Sequence, residues 1–579
     1  KMKSSKQNDD NGKDHDLFDF VLVTGDFSRH AMARLNGTQL ELDPMQEAQR
    51  TIRTCDDALL NHLGPVPIIP VLGNNDVVPD YYLDTMTNHR HGNETNSSAT
   101  NPHNLMLDMV TNSLPNTLSE SHDRESYRNY GYFAKTIGIG NDNKAILVVS
   151  LNTVLYSQFH EPSQGTNSNG DEVLDEDPLG QFSWLESVLA KATADAPKQT
   201  IVGIYLCGHI PPSIGSYRHT QLWHEQYLQR YYGILESYYH SAATAPKQFV
   251  VPPISGHLFG HVHTEEFRLL DLATPSLDTT TDTSSFQIPL IVTSSVTPIY
   301  GSNPSYKIME FDDTTGKLLD YTTTYLDLAK TDESVSNSNN TLAEPVWITL
   351  PSFVQDYNVS DLSAASFQTI FHRLEDELNE MVATQCNQTE SGSNNTTNIT
   401  ITNSTTEPND AVVQHPLWTT FLDRRDLYSV VPDNGDDGTS RGIHTMIDWL
   451  CTLKASRRNA YKDCLASKGQ EYYYSVGGDG SSTNATTALV CHPNEIPLLP
   501  PSGIAVLYLM AANVVGIASV LGCFWFVYMT RNGLLRRRKY HKTALDVLDE
   551  EEAAHGTTNG RANGHNEEDH TRSTERTVV

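Results

Sequence analysis

Four short motifs, each led by a glycine and each following an apolar run, constrain this chain more than any other feature. They are VLVTGDFSRH at 21–30, VLGNNDV at 71–77, CGHIPP at 207–212 and FGHVHTEEF at 259–267. In open α/β architectures, sites form beyond the carboxyl ends of strands, and Asp26, Asn74, His209, His261 and His263 all fall there. A carboxylate, an amide oxygen and imidazoles together suit a divalent cation such as Zn²⁺, Mn²⁺ or Fe²⁺. Glycine before each candidate ligand lets the backbone turn sharply and approach a bound anion closely. Singly, Gly-Asp and Gly-Asn-Asn-Asp are common turns, and an isolated histidine is more often structural. All four in this order, each behind a strand-like run, read jointly as a metal site.

The surrounding pattern is that of a layered α/β domain, with short apolar runs alternating with helix-like stretches over 17–330. Strands are expected at 18–24, 66–72, 145–151, 200–206, 288–294, 306–311 and 318–325. Residues 88–104 and 271–286 read as loops, and 331–344 as a linker by composition. The segment 345–500 reads as mostly helical, for example FQTIFHRLEDELNEMV and IHTMIDWLCTLKASRRNAYKDCLA. Hydrophobic residues at 38 %, with 26 Tyr and 17 Phe, support a large core and exclude global disorder. The net charge of −31 repels phosphate backbones, so nucleic-acid binding is not expected.

Residues 503–529, GIAVLYLMAANVVGIASVLGCFWFVYM, carry no charge, and about 20 apolar residues suffice to cross a bilayer. Trp525 and Tyr528 suit an interfacial belt, and the basic run RNGLLRRRKYHK that follows places that end in the cytosol. All eleven N-x-S/T sequons precede the run: Asn36, Asn93, Asn96, Asn339, Asn358, Asn387, Asn394, Asn395, Asn398, Asn403 and Asn484. Two unrelated signals thus converge on a single-pass type I protein with a glycosylated extracellular or lumenal ectodomain. Its cytosolic tail, 530–579, is expected to be largely disordered. In an oxidising compartment Cys451 and Cys464, which bracket a helical stretch, are expected to form a disulfide, and Cys386 with Cys491 is a second candidate pairing.

The series GD…GNND…GH…GHVH resembles the calcineurin-like metallophosphoesterases. Within that superfamily, TGD-x-x-x-H, DPLGQFSWLE, GHIPP, SGHLFGHVHTEEF and TPIYGSNPSYKIMEFD are similar to the acid sphingomyelinase-like phosphodiesterases. TGDFSRH and GNND look more like the related vacuolar endopolyphosphatases. The resemblance covers about 17–490. It implies an α/β four-layer sandwich, two mixed sheets flanked by helices, over 1–330. A sphingomyelinase-type helical domain at 345–500 and one transmembrane helix at 503–529 would follow.

The same resemblance implies two divalent metal ions, with Zn²⁺ first and Mn²⁺ or Fe²⁺ as alternatives. Asp26 would bridge them; Asn74, His209 and His261 would complete one set of ligands, and His263 would bind the other ion. Hydroxide would attack phosphorus, and His30 would protonate the leaving oxygen. Two departures stand out. Asn75 occupies the catalytic position where most relatives carry histidine, and the family's DxH element is not found. A missing DxH and a missing signal peptide are together expected if the sequence lacks its true beginning. The function expected is a membrane-anchored phosphoric diester hydrolase acting on a lipid, nucleotide or polyphosphate ester. The alternatives are an endopolyphosphatase and a catalytically dead lumenal or surface binding protein.

Overall fold

A computed structural model describes residues 18–30, 43–85, 104–139, 143–161, 174–195, 200–216, 219–245, 251–271, 287–299, 302–331, 345–390, 416–426 and 443–472. The chain divides into two units, Lys1–Ile496 and Pro497–Val579, and every described residue lies in the first. Among the described residues no helix is long and apolar enough to cross a membrane. The candidate span 503–529 and the tail lie outside the described residues, as do Cys491 and all the sequons except Asn358 and Asn387.

The centre of the unit is a mixed six-stranded sheet. Its strands in chain order are β3 (Phe133–Ile139), β4 (Lys144–Ser150), β5 (Ile201–Cys207), β6 (Ile254–Phe259), β7 (Glu266–Asp271) and β8 (Gln287–Val292), in the spatial order β3-β4-β5-β6-β8-β7. The four inner strands run parallel, and β3 and β7 are antiparallel edges. Residues 145–150 of β4 are all buried, the continuous apolar run expected of a strand covered on both faces. A separate parallel pair joins β1 (Val21–Val23) and β2 (Ile68–Pro70). A three-stranded antiparallel sheet comprises β9 (Ser305–Phe311), β10 (Leu318–Leu326) and β11 (Trp347–Thr349). The β9–β10 turn touches β5, where the Tyr205 hydroxyl donates to the Gly316 carbonyl at 2.8 Å.

Helices cover these sheets. The first, α1 (Pro44–Leu63), begins at Asp43, whose side chain accepts from the Met45 and Gln46 amides, and stops at Gly64, with φ 66°. Next come α2 (Leu105–Asn112), α3 (Ser121–Tyr130), α4 (Gln181–Asp195) and α5 (Glu225–Thr244). The later segment forms α6 (Phe353–Tyr357), α7 (Ala364–Glu390), α8 (Pro416–Asp426), α9 (Ile443–Lys454) and α10 (Arg458–Tyr472). These helices dock on the edge strand β7. Phe267 is buried there among Phe353, Tyr357, Phe367, Phe371 and Phe421, with ring centroids 5.2–6.0 Å away. Cys451 on α9 and Cys464 on α10 are joined by a disulfide with Cα atoms 5.6 Å apart.

All seven strands expected from the sequence are present. Of four others, β3, β7 and β11 were not expected, and β6 was implied only as the run ahead of the 259–267 motif. The described part of the chain is therefore a mixed α/β structure of several sheets and helices, which fits a metallophosphoesterase sandwich.

Candidate metal centre

The four glycine-led motifs come together because each ends a parallel strand. Asp26 follows β1, Asn74 follows β2, His209 follows β5, and His261 and His263 follow β6. Three of these residues, Asp26, His261 and His263, have φ between 59° and 74°. Left-handed backbone at non-glycine residues is uncommon and is held only where the surroundings impose it.

The two loops after β1 and β2 touch at glycines. A Cβ on Gly73 would lie 2.2 Å from both the amide nitrogen and Oδ1 of Asp26, and one on Gly25, at φ 93°, would lie 2.8 Å from the Gly73 nitrogen and from Nδ1 of His209. Gly73→Ala is therefore expected to displace the Asp26 carboxylate. The cost should be about 1–3 kcal/mol of stability, and metal binding should be lost while the far core persists. A metal titration beside a urea melt checks this; wild-type affinity in the variant would refute it.

Hydrogen bonds fix which atoms face the centre. The Thr24 carbonyl can only accept, so Nδ1 of His209, 2.7 Å away, carries the ring proton, and Nε2 is the free ligand atom of the neutral ring. That Nε2 lies 3.1 Å from Oδ2 of Asp26, 3.0 Å from Oδ1 of Asn74 and 3.2 Å from Nδ1 of His261. The Asn74 amide nitrogen donates to Oδ1 of Asn75 at 2.8 Å, which turns the Asn74 oxygen inward. Asn75 in turn donates to Asp26 twice, from its backbone nitrogen at 2.9 Å and from Nδ2 at 2.7 Å. Asn75 thus holds the carboxylate in place.

Lone pairs on a carboxylate, an amide oxygen and two imidazoles therefore converge on one point. Such a set is repulsive unless a proton or a cation lies among them. Ligand atoms about 2.1 Å from one Zn²⁺ at tetrahedral angles stand about 3.4 Å apart, close to the spacings found. Asp26, His209 and His261 form one group whose ligand atoms lie within 4.8 Å of one another, and Asp26, His30 and His263 form a second. In the second, Nε2 of His30 is 3.4 Å from Nε2 of His263. Asp26 belongs to both. The residues present fit a divalent cation, and the two groups that could hold one share the Asp26 carboxylate.

The electrostatics agree with that chemistry. Burial opposes ionisation of Asp26, but without a cation His209 can take a second proton on Nε2, and that charge and hydrogen bond, with the hydrogen bond from Asn75, hold the Asp26 pKa at about 2. Burial also lowers His209, yet the Asp26 carboxylate outweighs it and the pKa is raised. Desolvation, then the His209 charge, pushes His261 down to about 3, and desolvation pushes His263 down to about 4. Both rings therefore stay neutral, and able to ligate, well below the ordinary histidine range.

Asp76, Thr24 and Thr153 complete the site and were not singled out from the sequence. The buried Asp76 carboxylate accepts from the amides of Gly73 at 2.8 Å, Asp26 at 3.0 Å and Ser28 at 3.0 Å, and so ties the β1 loop to the β2 loop. Burial and then the Asp26 charge push its pKa up to about 7. Thr153 Oγ1 accepts from the His209 and Ile210 amides at 3.2 and 2.8 Å. Asp76 had a local signal, as the last residue of GNND; the two threonines had none. Of the sequons, Asn358 is exposed at the end of α6, with φ 48°.

No family model matches the chain. Among known proteins it is 28 % identical over 313 residues to a sphingomyelinase phosphodiesterase D of Dictyostelium discoideum, covering 54 % of this chain and 56 % of that protein. It is 24 % identical over 368 residues to the human acid sphingomyelinase-like phosphodiesterase 3b, covering 62 % and 65 %. It is also 26 % identical over 283 residues to an endopolyphosphatase of Cryptococcus neoformans, covering 47 % and 33 %. The chain thus spans less than two thirds of each of these relatives. They are acid sphingomyelinase-like phosphodiesterases and an endopolyphosphatase, in agreement with the resemblance to the metallophosphoesterases.

Proposed function

We propose that this protein is a metal-dependent phosphoric diester hydrolase built on a four-layer phosphoesterase sandwich. The observation that carries the reading is Asp26, one carboxylate common to a His209–His261 group and a His30–His263 group. Two cations held there would lower the pKa of a bound water and neutralise charge developing on phosphorus. Asn74, His209 and His261 are assigned to one cation and His263 to the other, with Zn²⁺ the metal that best suits this donor set. Asn75 and Asp76 keep the shared carboxylate and its loop oriented. We further assign residues 503–529 as the span that anchors a glycosylated ectodomain on the extracellular or lumenal side.

Purified protein loaded with Zn²⁺, Mn²⁺ or Co²⁺ should hydrolyse an aryl phosphodiester and hold two metals per chain. Absence of turnover with every metal would reject the enzyme and favour a binding protein on the same fold. His30, beside His263, is positioned to protonate the leaving oxygen. His30→Ala should then slow alkyl esters about 100-fold or more while affecting activated aryl esters far less; an equal loss on both would remove that role.

A second reading, an endopolyphosphatase, is favoured by GNND and by the similarity to the fungal endopolyphosphatase. The charge of −31 offers such a polyanion no long-range attraction. Chain-length analysis of long polyphosphate decides between them: polymer left intact by protein that cleaves a diester rejects this second reading.

A further inference from the structure

One face of the three-stranded sheet β11-β10-β9 is covered and the other is not. On the covered face Tyr325 and Leu350 are buried, with Ile348 packed against them. Alternation puts the pairs Tyr306–Thr324 and Leu326–Trp347 on the opposite face. An antiparallel sheet with one covered face normally turns polar side chains to water on the other. Here the rings of Tyr306 and Trp347 stand there instead, 46 % and 49 % exposed, with centroids 5.9 Å apart.

The loop after β8 extends this apolar surface. The Ser305 amide at the start of β9 donates to the Ser295 carbonyl at 3.0 Å, and the Ser294 and Ser305 hydroxyls are hydrogen-bonded. Val296 and Ile299, in the loop closed by that contact, are 78 % and 51 % exposed. The Thr297 amide donates to Ser295 Oγ at 3.1 Å, so the backbone of the loop is held although these side chains are not buried. Two aliphatic and two aromatic side chains are thus presented around one contact, Ser295–Ser305. Exposed apolar side chains scattered singly need no explanation, whereas a cluster of them marks an interaction surface.

We propose that Val296, Ile299, Tyr306 and Trp347 form a lipid-docking edge, by which the ectodomain lies against a zwitterionic bilayer surface. This rests on the reading of 503–529 as a membrane span. The 30 residues 473–502 separate that span from the end of α10. A chain of that length reaches at most about 100 Å, so an anchored ectodomain stays near the bilayer and a weak apolar contact suffices to hold it there. Trp and Tyr beside aliphatic side chains are the set that partitions into the headgroup region. The net charge of −31 gives no attraction for anionic lipid, so the contact is apolar. None of the metal ligands belongs to this edge: it attaches the protein and selects no substrate.

The test uses the full chain reconstituted in phosphatidylcholine vesicles that carry a trace of phosphatidylcholine with a photoactivatable group at the top of its acyl chain. After irradiation, crosslinked peptides are identified by mass spectrometry. The peptides holding Val296, Ile299, Tyr306 and Trp347 should be labelled together with 503–529. Leu319, exposed at the far end of the β9–β10 hairpin, should not be. The double variant Val296→Asp/Ile299→Asp should reduce label at Trp347 by about tenfold. Its thermal stability and its label on 503–529 should not change, since both side chains are exposed. Absence of label from the edge overturns the proposal, and label retained on 503–529 would then keep the span. Label on the edge with none on 503–529 supports the docking edge and removes the span. Label unchanged by the double variant, or equal at Leu319, overturns the edge. So does protection of the four side chains in a dimer or in a complex with another protein, without lipid label.

Discussion

Arg424→Ala should destabilise the protein by about 3–5 kcal/mol, although no part of Arg424 belongs to the metal centre. Arg424 on α8 is 3 % exposed. Its Nε and Nη2 each lie 2.9 Å from Oε1 of Glu265, and Nη1 lies 2.5 Å from Oδ2 of Asp356 and 3.0 Å from the Pro351 carbonyl. Glu265, equally buried, also accepts from Lys307, from Thr323 Oγ1 at 2.6 Å and from the Tyr321 hydroxyl at 3.2 Å. Burial alone would neutralise Glu265; Arg424 first and Lys307 next hold its pKa at about 2. Removing the guanidinium leaves two carboxylates facing a cavity with one remaining cation, Lys307, whose own pKa burial has already lowered to about 8.

The consequence should reach the site along the backbone. Glu265 is two residues beyond His263, and its amide donates to the Arg425 carbonyl at 3.1 Å. The loop bearing His261 and His263 is thus fastened to α8 at its far end. Arg424→Ala should lower the urea midpoint and weaken metal binding together. Arg424→Lys, which keeps a charge but not the planar fork, should fall between wild type and alanine. A loss below about 1 kcal/mol for Arg424→Ala would mean that the network contributes no net stability, an outcome known for some buried ion pairs when they are replaced.

That network was invisible in the sequence, whereas much of the fold was not. β1, β2, β4 and β5 are short apolar runs bounded by turn residues, and such runs are legible one at a time. β6 was implied only as the run ahead of the 259–267 motif and was not given bounds, because Gly256 and His257 interrupt ISGHLF. β7 was not legible, because Glu266 and Arg268 make EFRLLD look polar; the two pair at 2.5 Å inside the protein, so their charge says nothing about exposure. β11 has only three residues and exists because β10 offers it a partner. The metal centre was legible because each of four motifs places a ligand directly after a glycine at a strand end, with His263 two residues beyond His261 in the last. Thr24 and Thr153 act through a carbonyl and a hydroxyl placed by the fold, and Arg424 meets Glu265 across 159 positions of sequence. Contacts of that kind leave no local trace.

Asp26→Asn should remove both cations of the proposed pair and reduce turnover by more than about a thousandfold, a larger functional loss than any other single change at the site. The substitution barely alters shape, so the effect isolates charge and proton count. Both oxygens of the carboxylate are already used as acceptors, Oδ1 from the Asn75 amide at 2.9 Å and Oδ2 from Asn75 Nδ2 at 2.7 Å. An asparagine would present an NH₂ to one of these donors, and two donors cannot share a hydrogen bond. It would also withdraw the negative charge that outweighs burial in raising His209. The backbone of the loop should stay in place, because the residue 26 amide still donates to Asp76 at 3.0 Å. Thermal stability should therefore change little while metal content after dialysis falls towards zero. If only the cation assigned to His263 were lost and the other stayed bound, Asn74, His209 and His261 would suffice for one site without the carboxylate, and Asp26 would not be the shared ligand on which the assignment rests.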